Sequence, residues 1–141
     1  MQHVAVDYDF SVSAERAFAF LAEHENLTTL FPVRIKRVSD GRDGTRNGPG
    51  SARSMRVGFL PPFVETTTNV IENELIEYRI TEGSPLRDHH GRLAFSPGPD
   101  GSSHLRYEIQ LGAVVPGLDV VVARALERGI RKGLPEVDRL A

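Results

Sequence analysis

Residues 13–32 read SAERAFAFLAEHENLTTLFP, and the place of this stretch between strand-like segments decides the fold. Ser13 can cap a helix in which Ala14, Ala17, Phe18 and Leu21 recur at helical spacing, while Glu15 lies near the positive end of the helix dipole. A second, weaker helical stretch begins at Asn26. Thr28 and Thr29 lower its propensity, and Pro32 pushes Phe31 towards an extended conformation, so it is expected to stop near Leu30.

On the N-terminal side, His3 to Val12 alternates. Val4, Val6, Tyr8 and Phe10 fall on one face and His3, Ala5, Asp7 and Asp9 on the other, the period of a half-buried strand. On the C-terminal side the pattern predicts six further strands, over 33–39, 51–59, 63–72, 75–82, 88–96 and 103–112. Short turn clusters separate them, which favours hairpins and an antiparallel meander. Beyond Pro116 and Gly117 the period becomes helical again, with Leu118, Val121, Val122, Ala125, Leu126, Ile130, Leu134 and Val137 in one stripe. Gly129 and Gly133 lie on or beside that stripe and would let it approach another element closely, and Pro135 is expected to loosen or end the last turn. The order is strand, helix pair, six strands, long helix. This is an α+β architecture, a seven-stranded antiparallel sheet whose apolar face the long helix covers and whose end the short helices close.

Bulk properties narrow the function classes. A chain of 141 residues with 40% apolar content suits one compact domain over 1–141. A net charge of −2 gives no general attraction to nucleic acid, which is not expected as a partner. The absence of cysteine removes disulfides, thiolate nucleophiles and Cys-based zinc sites. The N-terminal MQHVAVDYDF is unlike a signal peptide and no run is long enough to span a membrane, so a cytoplasmic location without a transmembrane segment is expected.

The first strand followed by Val12-Ser13-Ala14-Glu15-Arg16-Ala17-Phe18, then His24-Glu25-Asn26-Leu27 and Phe31-Pro32, resembles the START-like (SRPBCC, Bet v 1-like) superfamily with the helix-grip fold. Within it the resemblance is to the bacterial polyketide cyclase/dehydrase and lipid-transport group. It implies a sheet curled around the long helix, with an apolar cavity between them for a polyketide, lipid or quinone-like molecule, and with the helix pair as plug and hinge at one end. It implies no cofactor.

The residues expected to face that cavity are Tyr8, Phe10, Met55, Val57, Thr66, Thr68, Tyr78, Phe95 and Tyr107 on the sheet and Val122, Leu126 and Ile130 on the long helix. An apolar pocket with a few hydroxyls is the usual form of a small-molecule site. Buried aromatics more often simply pack against one another, so these residues argue for a cavity as a set and not singly. Arg53 shares a strand face with Met55, and a buried guanidinium would need an anionic or carbonyl partner. The resemblance makes Arg53 and Tyr78 the residues that would polarise a polyketide carbonyl in a cyclase. A one-residue slip of register would turn both away.

Asp88-His89-His90 invites a metal reading. Adjacent strand residues point to opposite faces, so His89 and His90 could share an ion only in a loop, and no metal is expected. His90 is the better candidate as a general base, since histidine titrates near neutrality. GRDGTRNGPG, residues 41–50, lacks the Gly-Lys-Ser/Thr ending of a phosphate loop and reads as a flexible hairpin loop at the pocket mouth. Neither Gly-x-Ser-x-Gly nor HExxH is present.

Charge divides along the chain. Arg34, Lys36, Arg37, Arg42, Arg46, Arg53 and Arg56 precede Glu65, Glu72, Glu74, Glu77 and Glu82, so neighbouring strands of opposite sign can pair. The basic edge would also suit an acidic carrier protein, and an exposed strand edge admits a homodimer. Three functions follow: a binding or carrier module for a hydrophobic small molecule, a cofactor-free polyketide cyclase or dehydratase, or a regulatory protein acting through a protein partner, as in the quinone-chaperone and ribosome-association branch of the same superfamily.

Overall fold

A computed structural model describes residues 1–141. The elements are β1 (Gln2–Phe10), α1 (Ala14–Ala22), a 3-10 helix (His24–Thr29), β2 (Arg34–Ser39), β3 (Ala52–Arg56), β4 (Phe63–Ile71), β5 (Leu75–Glu82), β6 (Leu86–Pro97), β7 (Ser103–Ala113) and α2 (Leu118–Leu140). The strands form one antiparallel sheet in the order β1-β7-β6-β5-β4-β3-β2, so consecutive hairpins run from β2 to β7 and β1 closes on β7. The helix-grip arrangement expected from the sequence is present.

Local chemistry accounts for the element ends. The Ser13 hydroxyl accepts from the Arg16 amide at 3.2 Å and caps α1. The 3-10 helix lies where threonines and Pro32 were expected to weaken an α-helix. α2 runs to Leu140, through Pro135, against the expectation that this proline would loosen or end it. Pro135 is exposed, Leu134 and Val137 are fully buried, and the Asp138 carboxylate accepts from both the Ser11 amide and hydroxyl at 2.9 Å. Burial and these bonds hold the last turn although the proline removes a helical amide.

The inward sheet face is continuous. Val4, Val6 and Phe10, Leu105, Tyr107, Ile109 and Leu111, Leu93 and Phe95, and Ile76 and Tyr78 join Leu21, Leu27, Leu30, Phe31, Ile130, Leu134 and Val137 in one core. α2 packs chiefly on β1, β7 and the 3-10 helix. The last contact depends on glycine: a Cβ on Gly129 would lie 2.5 Å from the Leu30 carbonyl oxygen, and one on Gly133 would overlap that of Thr29. The small residues on the α2 stripe therefore do what the sequence suggested, admitting the backbone of the short helix.

Residues 41–50 carry hydrogen bonds of their own. Arg42 donates its amide to the Pro49 carbonyl, Gly50 donates to Thr67, and the Asp43 carboxylate accepts from the Thr45 amide and hydroxyl. The Arg37 guanidinium ties the loop to the α1 end, reaching Glu23 at 2.7 Å, Glu25 at 3.0 Å, the Arg46 carbonyl and the Asn47 side chain. With Asp40 at 3.5 Å as well, five partners for one guanidinium leave little freedom at this junction.

Candidate functional site: a polar cluster inside the sheet

Amid the apolar core lies a set of polar side chains from six elements, the 3-10 helix and β3 to β7. Arg53 (β3) and Glu65 (β4) are paired residues of adjacent strands, and both point inward, with 3% and 7% exposure. The guanidinium donates twice to Glu65 Oε1, from Nη2 at 2.7 Å and Nε at 3.1 Å. The second carboxylate oxygen faces His89 Nε2 at 3.8 Å, and the other ring nitrogen of His89 accepts the Ile80 amide at 3.1 Å. With Nδ1 accepting, the proton of neutral His89 sits on Nε2, turned towards Glu65. Burial and the Arg53 charge lower the His89 pKa, although Glu65 opposes them.

Arg53 also lies 4.9 Å above the centre of the Tyr78 ring, a cation–π contact. Across β5, β6 and β7 the Tyr78 and Tyr107 hydroxyls meet at 2.5 Å. Gly91 makes room for this: it pairs with Tyr78 across the β5–β6 ladder, and a Cβ there would overlap the tyrosine ring. Burial raises both phenol pKa values, so the two hydroxyls stay protonated at neutral pH. They can donate hydrogen bonds and cannot act as bases.

The third part is His24, 1% exposed at the start of the 3-10 helix. Its Nε2 meets the Ser51 hydroxyl at 3.0 Å and the Thr67 hydroxyl at 3.5 Å, and its buried Nδ1 has no hydrogen-bond partner. Burial, with Arg53 adding repulsion, pushes its pKa down to about 3, so the ring is neutral.

The residues expected at a cavity divide unevenly. Phe10, Met55, Tyr78, Phe95, Tyr107 and Ile130 are buried, while Tyr8, Val122 and Leu126 are half-buried against them. They pack on one another and on their neighbours, as in Tyr8 edge-to-face on Phe10, Phe18 on Phe95 and Phe31 on Tyr107. Val57 is exposed, because β3 ends at Arg56 and Val57 belongs to the turn that follows. Thr66 and Thr68 are not inward. Thr66 bonds the Thr81 hydroxyl at the sheet surface, and Thr68 is the extra residue of a bulge between Thr67 and Asn69. Thr67 and Glu65 hold the inward positions instead.

On β6 the histidine expected as a base lies on the outer face of the sheet. His90 points outward and pairs with Glu77 at 2.9 Å, whereas His89 is buried. A register shift between Arg87 and His90, with Asp88 at φ 51°, sets that parity. The two histidines do point to opposite faces, as strand geometry requires. Glu65, Thr67, His24, Ser51 and His89 are therefore the members of this buried cluster that the sequence did not give. The only prior signal was the need of Arg53 for an anion, with Glu65 one short hairpin away.

Two open concavities lie elsewhere. One of about 520 Å³ runs between the start of β1 and α2, lined by His3, Arg124, Arg128 and Arg131 among others. A second of about 290 Å³ lies on the outer sheet face around His90, Arg92 and Arg106. Neither is lined by the interior cluster.

A sequence profile described as polyketide cyclase / dehydrase and lipid transport matches residues 1–141, the full length of this sequence. The chain belongs to that family. Solved structures agree in fold. A START superfamily protein from Mycobacterium smegmatis superposes with a TM-score of 0.78 at 17% identity, covering 99% of each chain. A norcoclaurine synthase point mutant from Thalictrum flavum superposes with a TM-score of 0.70 at 14% identity, covering 99% of this chain and 92% of that one. The di-domain ARO/CYC protein BexL, of the BE-7585A biosynthetic pathway, matches with a TM-score of 0.72 at 16% identity over 99% of this chain and 46% of its own. Identities this low establish the shared fold and leave the chemistry to the residues. No curated protein matches the sequence.

Proposed function

We propose that this family member binds a hydrophobic small molecule of polyketide, lipid or quinone type between its sheet and α2, and that the interior polar cluster receives the polar end of that molecule. The observation that carries the reading is His24 Nδ1, a fully buried nitrogen without a partner in a core that also buries Arg53, Glu65, His89, Tyr78 and Tyr107. An unsatisfied buried polar atom costs roughly 1–3 kcal/mol, and a carbonyl or hydroxyl of a bound molecule would remove that cost. The N-terminal half of α2 is the natural way in. Val122 and Leu126 there are half-buried, whereas Ile130, Leu134 and Val137 in the other half are fully buried.

A second reading, a cofactor-free cyclase or dehydratase, draws on the Tyr78–Tyr107 pair beneath Arg53. Two neutral phenols beside a cation are suited to polarising a substrate carbonyl, whereas neutral His89, whose Nδ1 accepts the Ile80 amide and whose Nε2 carries the proton, is suited to donating a hydrogen bond. The binding reading stands first because it needs only that the cluster contact a ligand, whereas the catalytic one needs a base within reach of the proton it takes.

The test is native mass spectrometry of freshly purified protein, joined to titration with an apolar fluorescent probe in the absence of lipid vesicles. A one-to-one apolar adduct or saturable probe binding, weakened about tenfold or more by Arg53→Met, supports the proposal. A folded protein that neither carries nor binds any such molecule overturns it.

A further inference from the structure

The end of the sheet that carries the β3–β4, β5–β6 and β7–α2 connections exposes an unusual amount of apolar side chain. Phe59 is fully exposed and Leu60 is 64% exposed, at the tip of the β3–β4 turn Val57–Pro62. Pro61 and Pro62 follow directly and stiffen the backbone behind that tip. Val114 and Val115, in the β7–α2 connection, and Val121, on the first turn of α2, are also more than half exposed. These segments share one end of the molecule. Gly83 in the β5–β6 turn backs onto Pro62, where an added Cβ would lie 2.8 Å from the proline carbonyl, and the Val114 amide donates to the Pro85 carbonyl of the same turn.

Cations flank the apolar tips. Arg34 and Arg56 are directly opposed in the β2–β3 ladder and both are exposed, with Lys36 two residues further along the same face. On the other side are Arg87, at the start of β6, and Arg124 and Arg128, nearly two and nearly three turns into α2. None of the six takes part in an ion pair. The acidic groups at this end are fewer. Glu82 and Asp88 are exposed, Asp119 is engaged by the N-terminal amine at 3.7 Å, and Glu127 pairs with Arg131. Like charges directly opposite on neighbouring strands are unfavourable, so the Arg34–Arg56 pairing works against the fold and calls for an anion outside it.

From this arrangement we infer that the β3–β4 tip and its neighbours dock the protein on an anionic lipid bilayer, with Phe59 and Leu60 entering the headgroup region and the flanking cations resting on the charged surface. A protruding aromatic and aliphatic tip with a basic rim fits an interface that is apolar below and anionic above. A protein partner would instead have to supply a pocket for Phe59. The net charge of −2 makes the contact local: only this end, and not the whole molecule, is drawn to the surface. The inference does not depend on the interior-ligand reading, since none of its residues belongs to the polar cluster.

The test is co-flotation of the full chain with vesicles of phosphatidylcholine alone and of phosphatidylcholine with phosphatidylglycerol. The expected result is flotation with the anionic vesicles, little with the neutral ones, and release at about 0.5 M salt, where screening shortens to roughly 4 Å. Phe59→Ser with Leu60→Ser should weaken anionic binding about tenfold or more, and Arg34→Glu with Arg56→Glu should do so independently. All four positions are exposed, and an unchanged thermal midpoint in each variant would exclude misfolding as the cause. No flotation with anionic vesicles at low salt, equal flotation with neutral ones, or binding indifferent to both double variants would overturn the inference. So would a concentration-dependent dimer that is lost in Phe59→Ser with Leu60→Ser, which would assign the tip to a second copy of the chain.

Discussion

Arg53 and Glu65 face each other in the β3–β4 ladder and turn the same way, into the core, where two hydrogen bonds of 2.7 and 3.1 Å join the guanidinium to one carboxylate oxygen. Removing one member leaves a buried charge without its partner, typically at a cost of about 3–5 kcal/mol, whereas replacing both with apolar residues of similar size is often close to neutral. Arg53→Met and Glu65→Leu should each lower stability in denaturant titrations by that order, and the double variant should recover most of the loss. If it recovers stability but no longer binds an apolar probe, the pair is retained for its ligand. Two single variants within 1 kcal/mol of the parent would show that the pair is not desolvated as described.

Tyr78 and Tyr107 make the next prediction. Tyr78→Phe leaves the buried Tyr107 hydroxyl without its only described partner and should cost about 1–3 kcal/mol. Phe at both positions removes the orphan, so the double variant should be less destabilised than the two single losses added together. Probe affinity separates the structural role from the binding one. A ligand that uses the hydroxyl is weakened by Tyr78→Phe, whereas a ligand that sees only apolar surface is not.

The sequence made the element order legible because each element carries its own period, and the strand runs it predicted differ from those observed mainly at their ends. It misassigned the inward-facing residues where parity was set from outside the strand. Arg53 and Met55 were correctly placed inward, since alternation from an apolar residue suffices on a short regular strand. On β4 the hydroxyls of Thr66 and Thr68 looked suited to an interior and Glu65 did not, because a carboxylate belongs in water unless a cation pays for its burial. That cation sits on another strand, and no local pattern reports it. On β6 the shift around Asp88 exchanged His90 for His89, and a bulge at an aspartate with positive φ leaves no periodic trace in the sequence. The burial of His24 leaves no mark in the sequence, because a short 3-10 helix has no amphipathic stripe from which to read its inner face.

His24 also gives a pH dependence with a definite sign. Its pKa in the fold is about 3, against an ordinary value of 6.5, so between those values the unfolded chain binds the proton and the folded chain does not. The state that binds more protons gains as pH falls, so stability should rise with pH from about 3 to 6.5 and decline on acidification below 6.5. His89 is lowered in the same direction by burial and adds to this acid limb, while His104, raised by hydrogen bonds to Asp9 and Asp7, contributes stability that is complete below its ordinary pKa and lost at higher pH. His24→Gln retains a hydrogen-bonding side chain and cannot titrate. Its thermal midpoint should therefore fall less steeply than that of the parent between pH 6.5 and 4, and parallel acid limbs in the two proteins would remove His24 as their source.

Gly133 tests whether the short helix is held by close approach to α2. On an open helix face, Gly→Ala stabilises by roughly 1 kcal/mol, because alanine has the higher helix propensity. Here the added methyl would overlap the Thr29 carbonyl oxygen, with the Leu30 side chain and Cα at 2.9 and 3.0 Å. Backbone cannot rotate away as a side-chain tip can, so the 3-10 helix must move or α2 must shift along the sheet. Gly133→Ala should lower stability by about 1–3 kcal/mol, of the order of overpacking in a core, which corresponds to a fall of several degrees in thermal midpoint for a chain of this size. Because His24 begins the displaced helix and bonds Ser51, hydrogen exchange should also quicken over residues 24–31 and at Ser51. A stabilised variant with unchanged exchange would mean that α2 and the short helix stand further apart, and that His24 is held in the core by its own hydrogen bonds alone.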